Sequence, residues 1–259
     1  MRLDEALVAR GLAPSRSAAR GIIMAGLVTV SGKVSDKAGT AVAGDAEIVV
    51  KQGRRYVSRG GEKLAHALDC LHIDVGGAHA LDVGASTGGF VDCLLQRGAR
   101  RVYAIDVGYG QLAWTLRQDA RVVVMERTNA RHLESLPEPI SLVTVDVSFI
   151  SLQHILPQVR RWLAPDGEVV ALIKPQFEAG RRLVGKGGVV RDHAVHRQVL
   201  HRVLMRARQD GWALLGLTAS PLAGPKGNIE FLAWLAPDGE RASLAVEAAI
   251  ASAMSPLEQ

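Results

Sequence analysis

Three ionisable residues stand at the ends of apolar runs, or inside one. Asp146 closes Leu142-Val-Thr-Val145, Lys174 closes Val169-Val-Ala-Leu-Ile173, and Glu230 lies within the strand-like run Asn228-Ile-Glu-Phe-Leu232. A charge embedded in such a run needs either a partner or a function. Taken singly, each fits a solvated strand end or a structural ion pair. Three on strands expected side by side point to one site, because open α/β sheets gather reactive groups at strand ends.

A second group is the stretch Leu81-Asp82-Val83-Gly84-Ala85-Ser86-Thr87-Gly88-Gly89-Phe90. It reads as a strand, a glycine turn and the opening of a helix. Glycines let the backbone approach a ligand, and a helix start offers free N–H groups. The spacing is G-x-x-x-G-G, not the G-x-G-x-x-G of a nicotinamide site. Asp82, just before the turn, is placed to reach a ligand amine. Asp106 ends the next strand, Val102-Tyr-Ala-Ile-Asp106, where an acid suits ribose hydroxyls. A glycine loop plus a second-strand acid serves both NAD and S-adenosylmethionine binders. Gly180-Arg-Arg-Leu-Val-Gly185-Lys186 imitates a phosphate-binding loop, but Gly187 follows where Ser or Thr would hold magnesium. A basic loop over the site is the better reading.

These residues need a frame. From residue 78, apolar runs at 79–83, 102–105, 122–125, 142–147 and 168–173 alternate with helix-length segments. That pattern predicts a parallel sheet with crossover helices. Two last strands, Trp212 to Ala219 and Ile229 to Leu235, have no helix between them and predict an antiparallel closing hairpin. The alanine-rich tail from Ser243 reads as a helix. The fold class is α/β, a Rossmann-like methyltransferase sheet preceded by a small α/β domain. In that small domain Leu3, Ala6 and Leu7 make a helical face, Ser15 caps a second helix, and Gly26 ends it. Val28 to Val34 forms a hairpin about Ser31-Gly32, and Glu47 to Val50 a last strand. Residues 51–62 have a basic, glycine-bearing linker composition. The expected organisation is therefore 1–50, a linker at 51–62, and 63–259.

The chain has 259 residues and a formal net charge of +5. Residues 1–62 hold 10 Lys/Arg against 6 Asp/Glu, while the remainder is nearly neutral. A basic module beside a neutral body suggests a polyanion-binding unit. No apolar run approaches the length of a membrane span. Acids near the N-terminus argue against export, so a cytoplasmic location is expected. Cys70 and Cys93, both on predicted helices, lack metal-type spacing and read as reduced, partly buried thiols.

Together with Lys63 upstream, Asp146, Lys174 and Glu230 resemble the Lys-Asp-Lys-Glu tetrad of FtsJ-type ribose 2′-O-methyltransferases. The stretch Arg2-Leu3-Asp4…Ser15-Arg16…Gly26…Val30-Ser31-Gly32-Lys33 is similar to the S-four-type RNA-binding domain. The combination resembles the TlyA family across almost the whole chain. The matching motifs include Tyr56-Val-Ser-Arg59-Gly-Gly-Glu-Lys63, Gly84-Ala-Ser-Thr-Gly-Gly-Phe90, Asp146-Val-Ser-Phe-Ile-Ser151, Lys174-Pro-Gln-Phe-Glu178, Gly185-Lys-Gly-Gly-Val-Val-Arg-Asp192 and Gly224-Pro-Lys-Gly-Asn-Ile-Glu230.

The resemblance implies methyl transfer from S-adenosylmethionine to a cytidine ribose 2′-hydroxyl in ribosomal RNA. It implies a cofactor set of Asp82, Gly84, Ala85, Ser86, Thr87, Gly88, Gly89, Phe90, Asp106, Val107, Asn129 and Asp146. Asn129 stands where the family has a third-strand acid, and its amide suits adenine. A protonated ribose hydroxyl is a poor nucleophile and needs a base. Lys174 is the candidate base, provided its amine is neutral, with Asp146 and Glu230 aligning it and Lys63 either positioning the hydroxyl or stabilising oxyanion charge. No metal is required, because the leaving group is already activated. Arg2, Ser15, Arg16, Arg20 and Lys33 are the expected RNA contacts in the small domain, and Arg54, Arg55 and Arg59 in the linker. The family also carries a hemolysin label. A membrane-lytic protein would need a long amphipathic or apolar segment, and a non-catalytic RNA binder would not need the tetrad.

Overall fold

Leu3, Ala6 and Leu7 form the buried face of α1 (Leu3–Ala9), and Ala19 and Ile23 that of α2 (Arg16–Met24). Ser15 caps α2, its hydroxyl accepting from Ala18 N at 3.2 Å, and Gly26 turns the chain out with φ +68°. β1 (Val28–Val30) and β2 (Lys33–Val34) pair antiparallel about Ser31-Gly32, both at positive φ as a two-residue hairpin turn requires. β3 (Ile48–Val50) takes the other side of β1, giving the order β2-β1-β3. The structure, a computed structural model, describes residues 1–51, 55–180, 182–239 and 241–258.

The chain divides into two units, Met1–Arg55 and Tyr56–Gln259. Residues 56–62, whose composition reads as linker, belong to the second unit. Tyr56 is 1% exposed, Val57 N donates to the Asp92 carboxylate at 2.8 Å, and α3 (Arg59–Cys70) starts inside the expected linker. Gly60-Gly61 is a close approach. A Cβ on Gly61 would fall 2.2 Å from Tyr56 Cγ.

The rest of the second unit alternates as its apolar runs predict. β4 (His79–Val83), α4 (Gly89–Gln96), β5 (Arg101–Ile105), α5 (Trp114–Arg117) and β6 (Val122–Met125) build one half. β7 (Ile140–Val145), α6 (Leu156–Trp162), β8 (Leu163–Ile173), α7 (Pro175–Glu178) and α8 (His193–Gln209) build the other. β9 (Trp212–Ala219) and β10 (Phe231–Pro237) close the sheet, and α9 (Val246–Met254) follows. The order is β6-β5-β4-β7-β8-β10-β9, with β10 running opposite to the other six strands. Glu230 lies one residue ahead of β10 rather than inside it.

Side chains alternate across the sheet with the period of two that strands impose. Leu81, Val83, Val143 and Val145 share one core with Trp162, Leu200 and Leu204. Ala80, Ala104, Leu142 and Leu172 share the other with Leu64, Leu68 and Leu94. The tail helix has a packing role: Val246, Ile250 and Met254 join the first core. Cys93 is buried in the second core, but Cys70, at the end of α3, is exposed rather than partly buried. Gly61→Ala should lower the unfolding free energy by ~1–3 kcal/mol through overpacking against Tyr56. Urea denaturation checks this, and an unchanged midpoint would contradict the close approach.

Candidate active site

Register assembles the site. Val83 pairs with both Ile105 and Val145, so Gly84, Asp106 and Asp146 emerge at one edge. This is the point where the sheet order reverses, since β5 and β7 flank β4. Phe231 pairs with Ile173, which sets Glu230 beside Lys174 from an oppositely running strand.

The four tetrad residues form two ion pairs. Lys174 Nζ lies 2.6 Å from Asp146 Oδ1 and donates to Ser148 Oγ at 3.0 Å. Lys63, buried on α3, pairs with the Glu230 carboxylate, which is 0% exposed. Gln176 Nε2 reaches the other Glu230 oxygen at 3.5 Å. Gly224 lies against that carboxylate so closely that a Cβ there would fall 2.0 Å from Oε1. Arg59 donates to Ala223 O. It therefore tethers the loop wrapped around Glu230, a contact its place among RNA-facing linker arginines did not foresee.

A cleft of about 520 Å³ opens beside Asp146. Of the expected cofactor residues, Gly84, Ser86, Asp106, Val107, Asn129 and Asp146 line it. Asp106 Oδ2 accepts from Ser86 N at 2.7 Å and Oδ1 from Gly108 N at 2.6 Å. Each oxygen keeps a lone pair for a hydroxyl. Asn129 Oδ1 accepts from Arg131 N at 3.0 Å, which leaves its amide nitrogen for a ligand. At Gly84 (φ +92°) a Cβ would lie 2.5 Å from Asp146 O, so only glycine lets the turn pass.

Ala85, Thr87, Gly88, Gly89 and Phe90 do not line this cleft; apart from the exposed Thr87, they are packed inward. Phe90 is buried in the α3–α4 core, and a Cβ on Gly89 would meet Ser58 Oγ at 2.2 Å. Gly88 admits Leu116 and Leu112. Asp82 is also outside it. The strand pleat turns residue 82 to the side of Ala80, where its carboxyl is buried and accepts from Thr144 Oγ1 at 2.7 Å. Burial, with Asp146 and Asp106 adding to it against the Thr144 hydrogen bond, pushes this carboxyl up to about 8.

Sequence reasoning missed Phe149. It is 90% exposed, left-handed at φ +65°, and its ring centroid lies 4.8 Å from that of Phe177. A left-handed non-glycine residue costs about 1–2 kcal/mol. Phe149 borders both the cleft and a neighbouring cavity of about 500 Å³ lined by Gln176, Phe177 and Gly185. Only the exposure of a large aromatic marks it, and exposure is not written in sequence. The segment imitating a phosphate loop is irregular: Gly187 and Gly188 are both left-handed, and α8 starts only at His193.

In the first unit, Arg2, Arg16 and Arg20 converge on a buried Asp4. Its Oδ1 accepts from Arg2 Nε at 3.0 Å, and its Oδ2 from Arg16 Nη2 at 3.3 Å and Arg20 Nε at 3.1 Å. The Arg2 hydrogen bond, joined by those of Arg20 and Arg16, holds this carboxyl far below the usual range. About half of each arginine side chain stays exposed. Lys33 is exposed on the hairpin, and the Ser15 hydroxyl is already used as a helix cap. Arg55 is exposed, and Arg54 lies outside the described residues.

Residues 56–236 match the FtsJ-like methyltransferase family model, and residues 1–48 match that of the S4 domain. Over 245 residues the chain is 48% identical to the 16S/23S rRNA (cytidine-2′-O)-methyltransferase TlyA of Mycobacterium tuberculosis, covering 93% of this chain and 91% of that protein. The chain belongs to the TlyA family. Another relative is Hemolysin A of Brachyspira hyodysenteriae, 46% identical over 90% of this chain and 98% of that one. A solved structure from Streptococcus thermophilus, described as a candidate hemolysin, superposes with a TM-score of 0.75 at 42% identity over all of this chain and 97% of that one. TlyA membership makes this an FtsJ-like methyltransferase with an RNA-binding S4 domain. Among the described residues, no helix is long and apolar enough to cross a membrane.

Asp82 gives a pH prediction with a definite sign. Its folded value lies above the unfolded one, so the folded chain binds the extra proton. Its contribution is full below about pH 4 and is lost as pH rises towards 8, at up to ~1.4 kcal/mol per pH unit. Asp82→Asn, shaped like the protonated acid, should flatten the fall of unfolding free energy between pH 5 and 8. Equal slopes in variant and wild type would refute this.

Proposed function

We propose that this TlyA-family protein transfers the methyl group of S-adenosylmethionine to the 2′-hydroxyl of a cytidine in ribosomal RNA. The observation that carries the reading is the Lys174–Asp146 pair at the mouth of the cleft, backed by the buried Lys63–Glu230 pair. The cleft fits the cofactor. Asp106 keeps two lone pairs for ribose hydroxyls, Asn129 an amide nitrogen for adenine, and Gly84 a bare backbone. That cofactor supplies a methyl group already activated by its sulfonium charge.

The chain's part is to prepare the hydroxyl. Lys174 Nζ takes the 2′-hydroxyl proton while the oxygen–methyl bond forms and the methyl–sulfur bond breaks. Asp146 and Ser148 hold Nζ in place, and Asp146 stabilises the ammonium that results. Glu230 neutralises Lys63 in the apolar interior and keeps that cation next to the reacting centre. Phe149 offers a flat apolar face beside Lys174 for the target base, and the neighbouring cavity gives it room. The first unit brings the RNA by its phosphates, through the arginines gathered on Asp4. A cytoplasmic location follows from such a substrate.

Lys174→Ala should reduce methylation of isolated ribosomal subunits by at least ~100-fold and leave cofactor affinity intact. Mass mapping of ribose methylation on small- and large-subunit RNA, with calorimetry for the cofactor, tests this and names the target subunit. Full activity in the variant would overturn the assignment. Asp4→Ala removes a negative charge yet should weaken RNA binding, because it scatters three arginines. Filter binding at rising salt reads it, and tighter binding by the variant would contradict the cluster's role.

A further inference from the structure

Glu178 ends α7 and takes no part in the chemistry described so far. Both of its carboxylate oxygens are spent on the loop after β7. Oε2 accepts from Ser151 Oγ at 2.7 Å, and Oε1 from Leu152 N at 2.9 Å. Arg202 in turn donates to the Glu178 carbonyl and ties it to α8. The loop so held carries Asp146, Ser148 and Phe149. Its other end is fixed where Asp146 N donates to Val83 O at 2.9 Å.

Between those two anchors sits the left-handed Phe149, exposed and so without burial to hold it. Left to itself, such a residue relaxes to negative φ. Two hydrogen bonds at the loop's far end oppose that relaxation. α7 also starts directly after Lys174 and carries Phe177, which lies against Phe149 and 5.8 Å from Lys174 Nζ. One carboxylate therefore joins the segment bearing the base to the loop bearing its partner.

We infer that Glu178 is a positioning residue, a clasp that holds the Asp146–Ser151 loop against α7 and so keeps Lys174, Asp146, Ser148 and the Phe149 ring in mutual register. Its effect on catalysis rests on the reading of Lys174 as base; its effect on the loop does not.

The chain has four phenylalanines, so 4-fluorophenylalanine labelling gives four ¹⁹F resonances. Phe149→Leu and Phe177→Leu assign two of them. Glu178→Ala should shift or broaden the Phe149 and Phe177 signals and leave those of Phe90 and Phe231 in place. At saturating subunit and cofactor, kcat should fall about tenfold or more. In Glu178→Gln, the amide oxygen can accept from Leu152 N while the amide nitrogen donates to Ser151 Oγ. That variant should restore the spectrum and bring kcat to within about threefold of wild type. Unmoved Phe149 and Phe177 signals in Glu178→Ala would overturn the clasp. So would a Gln variant as impaired as Ala, or all four signals moving together. If Glu178→Ala does not fold, Ser151→Ala carries the same test with a smaller shift of the same two signals. If wild type itself methylates no ribosomal RNA, the proposed function fails while the ¹⁹F spectra still decide the clasp.

Discussion

The buried pair between Lys63 and Glu230 is the constraint around which the second unit is arranged. Glu230 is fully buried, and a carboxylate in that position without its cation is destabilising by about 3–5 kcal/mol. A pair of well-packed apolar side chains would serve stability at least as well. Its neighbours are shaped to it. Gly224 is glycine because the carboxylate occupies the space of a side chain, and Gln176 turns its amide towards the second oxygen. α3 must begin early enough to deliver Lys63, which is why the glycines at 60 and 61 fold into a helix against Tyr56. The pair brings together the start and the end of the second unit, 167 residues apart in sequence.

Electrostatics in both units depend on carboxylates that face cations or each other. Asp4 makes a basic surface possible by collecting three guanidiniums that would otherwise repel. At the sheet edge Asp82, Asp106 and Asp146 share a small region. Burial favours the protonated form of Asp82, while Asp106 accepts from backbone amides and Asp146 faces Lys174.

Residue type and position in an apolar run were enough to single out Asp146, Lys174 and Glu230 as charges that the sheet brings together, because a charge in a strand is costly unless it is paired or used. The sheet and its antiparallel closure were equally legible, since both are written in period and spacing. Asp82 and Phe90 were misplaced for opposite geometric reasons: the pleat turns one away from the cleft, and helix packing buries the other. Asp4, Phe149 and Glu178 could not be singled out. Each acquires its role from partners that only the folded chain brings near, and no local pattern distinguishes such an acid or aromatic from a surface one. Within the linker-like stretch, residues 56–62 pack in the second unit because Gly-Gly beside Tyr is a close approach here, whereas their composition resembles a linker.

The reversed direction of β10 has a consequence for biosynthesis. A chain made from its N-terminus can complete the arginine cluster first: its four side chains lie within residues 2–20, and the backbone that carries Asp4 is held by Ala38 and Thr40. Lys63, Asp146 and Lys174 emerge later, and Glu230, one residue ahead of β10, comes after all of them. Until then Lys63 has no counter-ion and β8 no neighbour on its outer side. On the proposed reading, a nascent chain can thus hold a polyanion well before its reaction centre exists, and competence arrives in a single late step.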